Sequence, residues 1–140
     1  NYGLILAWIS IANEISIVPI VFYFGAIFWT LGYDTIYGFQ DIKDDEIIGL
    51  KSTSIKFKHD PKKFLFISYF VFISSLFLIG ILMNFKIFYF LFMIIPVFHL
   101  LIFQIKKLNI NLPSNCLIKF KSNNFLGLLI LFNILIGKLT

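Results

Sequence analysis

Three long stretches of the chain, 15–33, 64–83 and 87–103, contain no acidic residue and no lysine, and a shorter fourth follows at 125–137. Each is apolar on all sides, so no 3.6-residue alternation separates a buried face from a wet one, as it would in a soluble helix. A hydrocarbon core about 30 Å thick is crossed by about 20 helical residues, and the first three stretches have that length. The fourth reaches it only when 122–124 and Lys138 lie at the two interfaces. The stretch 4–12 is too short to cross and reads as the tail of a helix cut by the fragment's edge, with the start of the protein expected before Asn1. It lacks the basic segment and small-residue cleavage site of a signal peptide. The pattern predicts an all-α, polytopic transmembrane helix bundle, one domain over 1–140 with about five helices. Kinks are expected at Pro19 and Pro96, where neighbouring helices satisfy the freed carbonyls.

Composition agrees with immersion in lipid: 59% of residues are hydrophobic, 14% are charged, 19 are Phe, and the mean hydropathy is +0.92. Charge orients the bundle. Six lysines fall within 33–64 (Lys43, Lys51, Lys56, Lys58, Lys62, Lys63) and four within 104–122 (Lys106, Lys107, Lys119, Lys121). Only Lys86 and Lys138 lie on the other side. Alternate connections therefore hold the bases, which the positive-inside rule places on the cytoplasmic side, or the matrix side of a mitochondrion. The net charge of +5 sits at the headgroup surface. With the aromatics inside the spans, no stacking surface for nucleic acid is left. The single Cys116, read as part of the 104–122 loop, excludes an intrachain disulfide and has no partners at zinc-ligand spacing. Asp60 and Pro61 have the form of an N-cap and first-turn proline opening a helix, and Asn123 and Asn124 are placed to cap the last one.

Five of the seven acidic residues lie in YDTIYGFQDIKDDEIIGLKST, residues 33–53: Asp34, Asp41, Asp44, Asp45 and Glu46. If 34–45 is one helix, Asp34, Asp41 and Asp45 lie within about 40° of one another around its axis and Asp44 about 80° off their stripe. Carboxylates that close repel unless a cation sits between them, so the spacing points to a divalent metal, permanent or carried in by a substrate. Two other readings stand beside this one. A solvated acidic cap at the membrane surface needs no ligand, and D-x-x-x-D arises in many helices by chance. A transporter would place ionisable residues within the spans, where only His99 is found. A lone intramembrane His is more often hydrogen-bonded inside the bundle than an acid or base, and Glu14 lies on the side away from the cluster. Neither is assigned chemistry.

The acidic stretch resembles the second aspartate-rich motif of the UbiA superfamily of intramembrane prenyltransferases, the 4-hydroxybenzoate polyprenyltransferases in particular. In these, Y-D-T-x-Y precedes D-x-x-D-D and I-G-x-K-S-T. The preceding FWTLGYDT and the block HLLIFQIKKLNINLPSNCLIKFKSNNFLG, residues 99–127, with its H-L, its Gln and its C-L-x-x-F-x-S-N, extend the resemblance over nearly the whole chain. It implies the C-terminal half, about five helices, of a nine-helix bundle whose active site opens to the cytoplasmic side, with the aspartate-rich loop at 34–60. Two such motifs would hold Mg²⁺ on the diphosphate of a polyprenyl donor whose tail lies in an apolar channel. The implied activity is transfer of the polyprenyl group from polyprenyl diphosphate to the ring of 4-hydroxybenzoate. This is a membrane step of ubiquinone biosynthesis, in a bacterial inner or mitochondrial inner membrane. The alternatives are another aromatic acceptor used by the same mechanism, or a non-catalytic membrane remnant.

Carried over residue by residue, the resemblance makes Asp41 and Asp45, at the D-x-x-x-D positions, metal ligands, and Asp34 of Y-D-T a third, directly or through water. These are the expected catalytic residues. Lys51 of I-G-x-K-S-T is placed for a phosphate oxygen, against the plainer reading of one more membrane-surface lysine. Tyr37 is placed for the aromatic substrate's pocket, or serves as an interfacial anchor. The family's first motif, N-D-x-x-D, does not occur in these 140 residues. The missing N-terminal half of the same enzyme is therefore an expected partner, and the 140 residues alone are expected not to catalyse transfer.

Overall fold

Residues 2–139 are described by the computed structural model, and every regular element among them is helical. The first helix, α1 (Gly3–Ala12), stops where Asn13 turns left-handed at φ 53°. Ser16 opens α2 (Ile17–Gly38) by accepting the Val18 N–H, one of the donors that a helix start leaves without an intrahelical partner. Pro19 falls in that first turn, where its missing N–H costs nothing, so it helps open the helix instead of kinking it.

Two short helices, α3 (Ile42–Ile47) and α4 (Thr53–Lys56), occupy the connection to α5 (Pro61–Leu82). Asp60 holds the N-cap position of α5 with Pro61 in its first turn, as expected, although the Asp60 side chain makes no capping hydrogen bond.

The third span is wound irregularly: α6 (Ile87–Phe92), then α7 (Ile94–Phe98) around Pro96, then a π-helical segment, His99–Lys106. π-helices are rare and seldom exceed a turn. This one aims Gln104 inward. Fully buried, Gln104 accepts from the Tyr69 hydroxyl at 2.5 Å, and its amide lies 3.4 Å from both the Lys119 carbonyl and Ser122 Oγ.

The last helix, α8 (Pro113–Leu139), begins well before the apolar run at 125 and takes in Cys116, Lys119, Lys121, Asn123 and Asn124. The two asparagines therefore do not cap it. Its buried residues are Cys116, Lys119, Asn123, Leu126, Ile130, Asn133 and Gly137, alternately three and four apart. That spacing is one helix face, which a hydropathy window misses because its first half is polar. Lys119 and Cys116, expected in an exposed loop, are thus buried. The Lys119 ammonium sits over the Phe103 ring, 3.2 Å from its centre. Asn123 Oδ1 accepts from Trp29 Nε1 at 2.9 Å, tying α8 to α2.

The core lies between α2 and α5, the most extensively packed pair. Gly25 and Gly32 lie so close to Ser75 and Tyr69 that a Cβ at either glycine would collide, and Trp29 stacks flat on Phe72 with ring centres 5.0 Å apart. Lipid gives helices no hydrophobic drive to associate, so small-residue contacts of this kind and buried polar bonds hold the bundle. Among the described residues, four helical segments are long and apolar enough to cross a membrane: Ile17–Gly38, Pro61–Leu82, Ile87–Lys106 and Pro113–Leu139.

Candidate functional site

The aspartates are placed by the way the chain leaves α2. Asp34 is exposed on the penultimate turn of that helix, and its neighbour Thr35 is fully buried. The helix ends at Gly38, and Phe39, only 2% exposed, turns into the core. Residues 34–45 are therefore two helices with a break, and the single stripe of Asp34, Asp41 and Asp45 expected on one helix is not formed. Burying Phe39 outweighs continuing the helix into water.

Beyond the break, Asp41 stands at the N-cap position of α3, and the Asp45 N–H donates to the Asp41 carbonyl at 3.0 Å. Asp41 and Asp45 are thus one helical turn apart on the same side. Asp44 lies between them in sequence and is exposed. Gly49, at φ 74°, takes the left-handed conformation that ends α3 and lets the Leu50 N–H return to the Asp45 carbonyl at 2.9 Å. Lys51 follows, exposed, and Ser52 caps α4 by accepting the Ile55 N–H at 3.3 Å. The I-G-x-K-S-T segment therefore has a structural logic: its glycine closes one helix and its serine opens the next.

Among the described residues the one ion pair is Lys58 with Glu46, at 2.5 Å. Among those residues Asp34, Asp41, Asp44 and Asp45 have no basic partner, although six lysines lie within 33–64, and Lys51 has no acidic one. Nor, among the described residues, do three acidic, His or Cys side chains gather closely enough to share an ion. The structure pairs Asp41 with Asp45 and leaves Asp34 outside that pair. Two carboxylates one turn apart are a donor set that would fit Mg²⁺, an ion commonly held by one or two protein carboxylates.

Tyr37 is 46% exposed, and its ring packs 4.7 Å from that of Phe120 on α8. His99 rests against the Phe103 ring at 5.3 Å, and its Nδ1 is buried with no partner, so the hydrogen bond expected for it inside the bundle is absent at that atom. Glu14 is exposed in the turn before α2, at the opposite end of that helix from Asp34.

The model of the UbiA prenyltransferase family matches residues 2–132. The chain belongs to this family. It is 39% identical over 140 residues to a 4-hydroxybenzoate polyprenyltransferase, mitochondrial, from Bos taurus, covering 99% of this chain and 38% of that protein. A protein of the same name from Dictyostelium discoideum is 39% identical over 142 residues, covering 99% and 30%. A 4-hydroxybenzoate octaprenyltransferase from Francisella tularensis subsp. novicida is 36% identical over 132 residues, covering 93% and 45%. The chain thus spans less than half the length of these curated relatives. No solved structure matches it.

The structure also joins three hydroxyls that lie beside the motif residues and were not singled out from the sequence. Thr35 Oγ1 and Thr53 Oγ1 are 2.7 Å apart, and Ser54 Oγ donates to the Thr35 carbonyl at 3.1 Å. These hydroxyls stand inside the quoted Y-D-T and K-S-T segments. The signal for them was a threonine at each end of an acidic loop.

Proposed function

We propose that this chain carries the second aspartate-rich motif of a membrane enzyme that transfers a polyprenyl group from polyprenyl diphosphate to 4-hydroxybenzoate, a step of ubiquinone biosynthesis. The family membership and the names of the relatives support this reading. The observation that carries it is the Asp41–Asp45 pair, one turn apart and without an ion pair to any base among the described residues. In this reading Asp41 and Asp45 would hold Mg²⁺, with Asp34 contributing directly or through water. The ion, when bound, stabilises the charge that develops on the departing diphosphate.

Lys51, exposed and without an acidic partner among the described residues, donates to a phosphate oxygen as a point charge. Tyr37 borders the acceptor's ring. The allylic C–O bond breaks with its electron pair leaving on the diphosphate. A ring carbon ortho to the phenol oxygen forms the new C–C bond and loses its proton. An apolar groove of 680 Å³ between α5 and the 87–106 segment, lined by Phe66, Phe70, Phe77 and Phe90 among others, has the chemistry of an isoprenoid tail's surroundings. In this reading the aspartate-bearing connection faces the cytoplasm or mitochondrial matrix, which the lysine distribution supports. The 140 residues alone, lacking N-D-x-x-D, form no product.

The test uses membranes containing the full-length protein in a host without its own transferase, supplied with polyprenyl diphosphate and labelled 4-hydroxybenzoate. Prenylated product is expected with magnesium, lost with chelator and restored by added Mg²⁺. No product at any magnesium concentration would overturn the reading.

A further inference from the structure

We propose that Thr35, Thr53 and Ser54 are positioning residues, a hydroxyl clasp that holds the Lys51 segment across the cytoplasmic end of α2 so that Lys51 and Asp34 address one diphosphate. The inference rests on the proposed roles of Asp34 and Lys51.

Proton accounting sets the direction of each bond. Thr35 Oγ1 lies 2.6 Å from the Leu31 carbonyl, a group with no proton to give, so the single hydroxyl proton of Thr35 goes there. In the 2.7 Å contact between the two threonines, Thr53 is therefore the donor and Thr35 the acceptor. The Thr35 carbonyl would serve Phe39 in a continuing helix, but the Phe39 N–H turns instead to the carbonyls of Ile36 and Tyr37. Ser54 Oγ donates to the carbonyl so released, at 3.1 Å. Thr35 is fully buried and Ser54 is 2% exposed, so neither can exchange its partner for water. Gly38 is the residue that permits the approach, since a Cβ there would run into Ser54 Oγ.

The consequence falls on the neighbours in sequence. Asp34 immediately precedes one threonine, and Lys51 lies two residues before the other. Between them, Ile47, Ile48 and Leu50 are at least half exposed, and the Lys58–Glu46 pair is solvent-accessible, so little else tethers the tip of this connection. None of the three hydroxyls needs to touch substrate. They fix the distance between two groups that do.

The experiment compares Thr53→Val, Thr35→Ser and Gly38→Ala with the parent in the full-length protein in lipid nanodiscs. Thr53→Val is the cleanest change, because it removes only the cross-segment donor and leaves the Thr35–Leu31 bond intact. Two readouts are taken: hydrogen–deuterium exchange of residues 39–53 without substrate, and steady-state kinetics with the diphosphate donor at fixed magnesium. Thr53→Val should speed exchange in that segment and raise the donor KM about tenfold, the size of one lost hydrogen bond, with kcat held within about twofold. Gly38→Ala should move both in the same direction, and Thr35→Ser, which keeps the acceptor oxygen, should match the parent. Unchanged exchange in Thr53→Val overturns the clasp. Faster exchange with unchanged donor KM overturns its positioning role. If the parent transfers no prenyl group, the reading of the site falls separately, and exchange alone then decides whether the clasp exists.

Discussion

Two polar regions of this molecule are built on opposite terms. Inside the bundle, Tyr69, Gln104, Asn123 and Trp29 form hydrogen bonds that join α2, α5, the π-helical segment and α8, and every polar atom in those bonds has its partner. At the end of α2 and in the connection beyond it, Asp34, Asp41, Asp44 and Lys51 are exposed and have no ion-pair partner among the described residues. Lipid supplies no hydrogen bonds, so a buried polar group gains a partner only from its own chain, and His99 Nδ1 and Asn133 Oδ1 are the atoms of the long spans that lack one among the described residues. Charges at the surface are hydrated and can exchange that water for a ligand. The first region holds the fold, and the proposed site lies in the second.

That division is broken most sharply by the aspartates. Asp41→Asn or Asp45→Asn in the full-length protein should lower prenyl transfer by at least ~100-fold, the scale of losing a transition-state charge contact, while the thermal midpoint stays unchanged. Equal losses of activity and stability would place these residues in the fold instead of the site. Gly32→Val should do the reverse, because its side chain would drive into Tyr69. A destabilisation of about 1–3 kcal/mol is expected, read from thermal unfolding in detergent, with the magnesium dependence of whatever folds unaltered. Tyr69→Phe keeps the ring and leaves Gln104 Oε1 buried without its donor, for about 1–3 kcal/mol in the same assay. The smallest effect belongs to Lys58→Gln, which removes the surface pair with Glu46 and should change stability by no more than about 0.5 kcal/mol and turnover not at all.

The candidate site was legible in the sequence as chemistry and only partly as geometry. The motif letters picked out Asp41 and Asp45, which do share one turn, yet the helical projection that joined Asp34 to them assumed a helix that stops at Gly38. The apolar runs located α5 well, since its ends coincide with Asp60–Pro61 and the Asn84 turn. They misplaced the start of α8. Cys116, Lys119 and Asn123 are polar letters on a buried face, and no hydropathy window credits a lysine with covering a phenylalanine ring.

What the sequence by itself determined is what adds up locally: the count of spans, their apolar length, the lysine asymmetry and the concentration of carboxylates in one connection. Each is a sum over neighbours along the chain, and burial in lipid responds to that sum. The tertiary structure decided where Phe39 breaks the helix, which partner receives the Gln104 amide, and how Thr35 meets Thr53 across eighteen positions of sequence. Those outcomes depend on which helix lies alongside. A buried hydroxyl or amide that finds no partner in its own turn becomes stabilising only when a distant segment brings one within hydrogen-bonding distance.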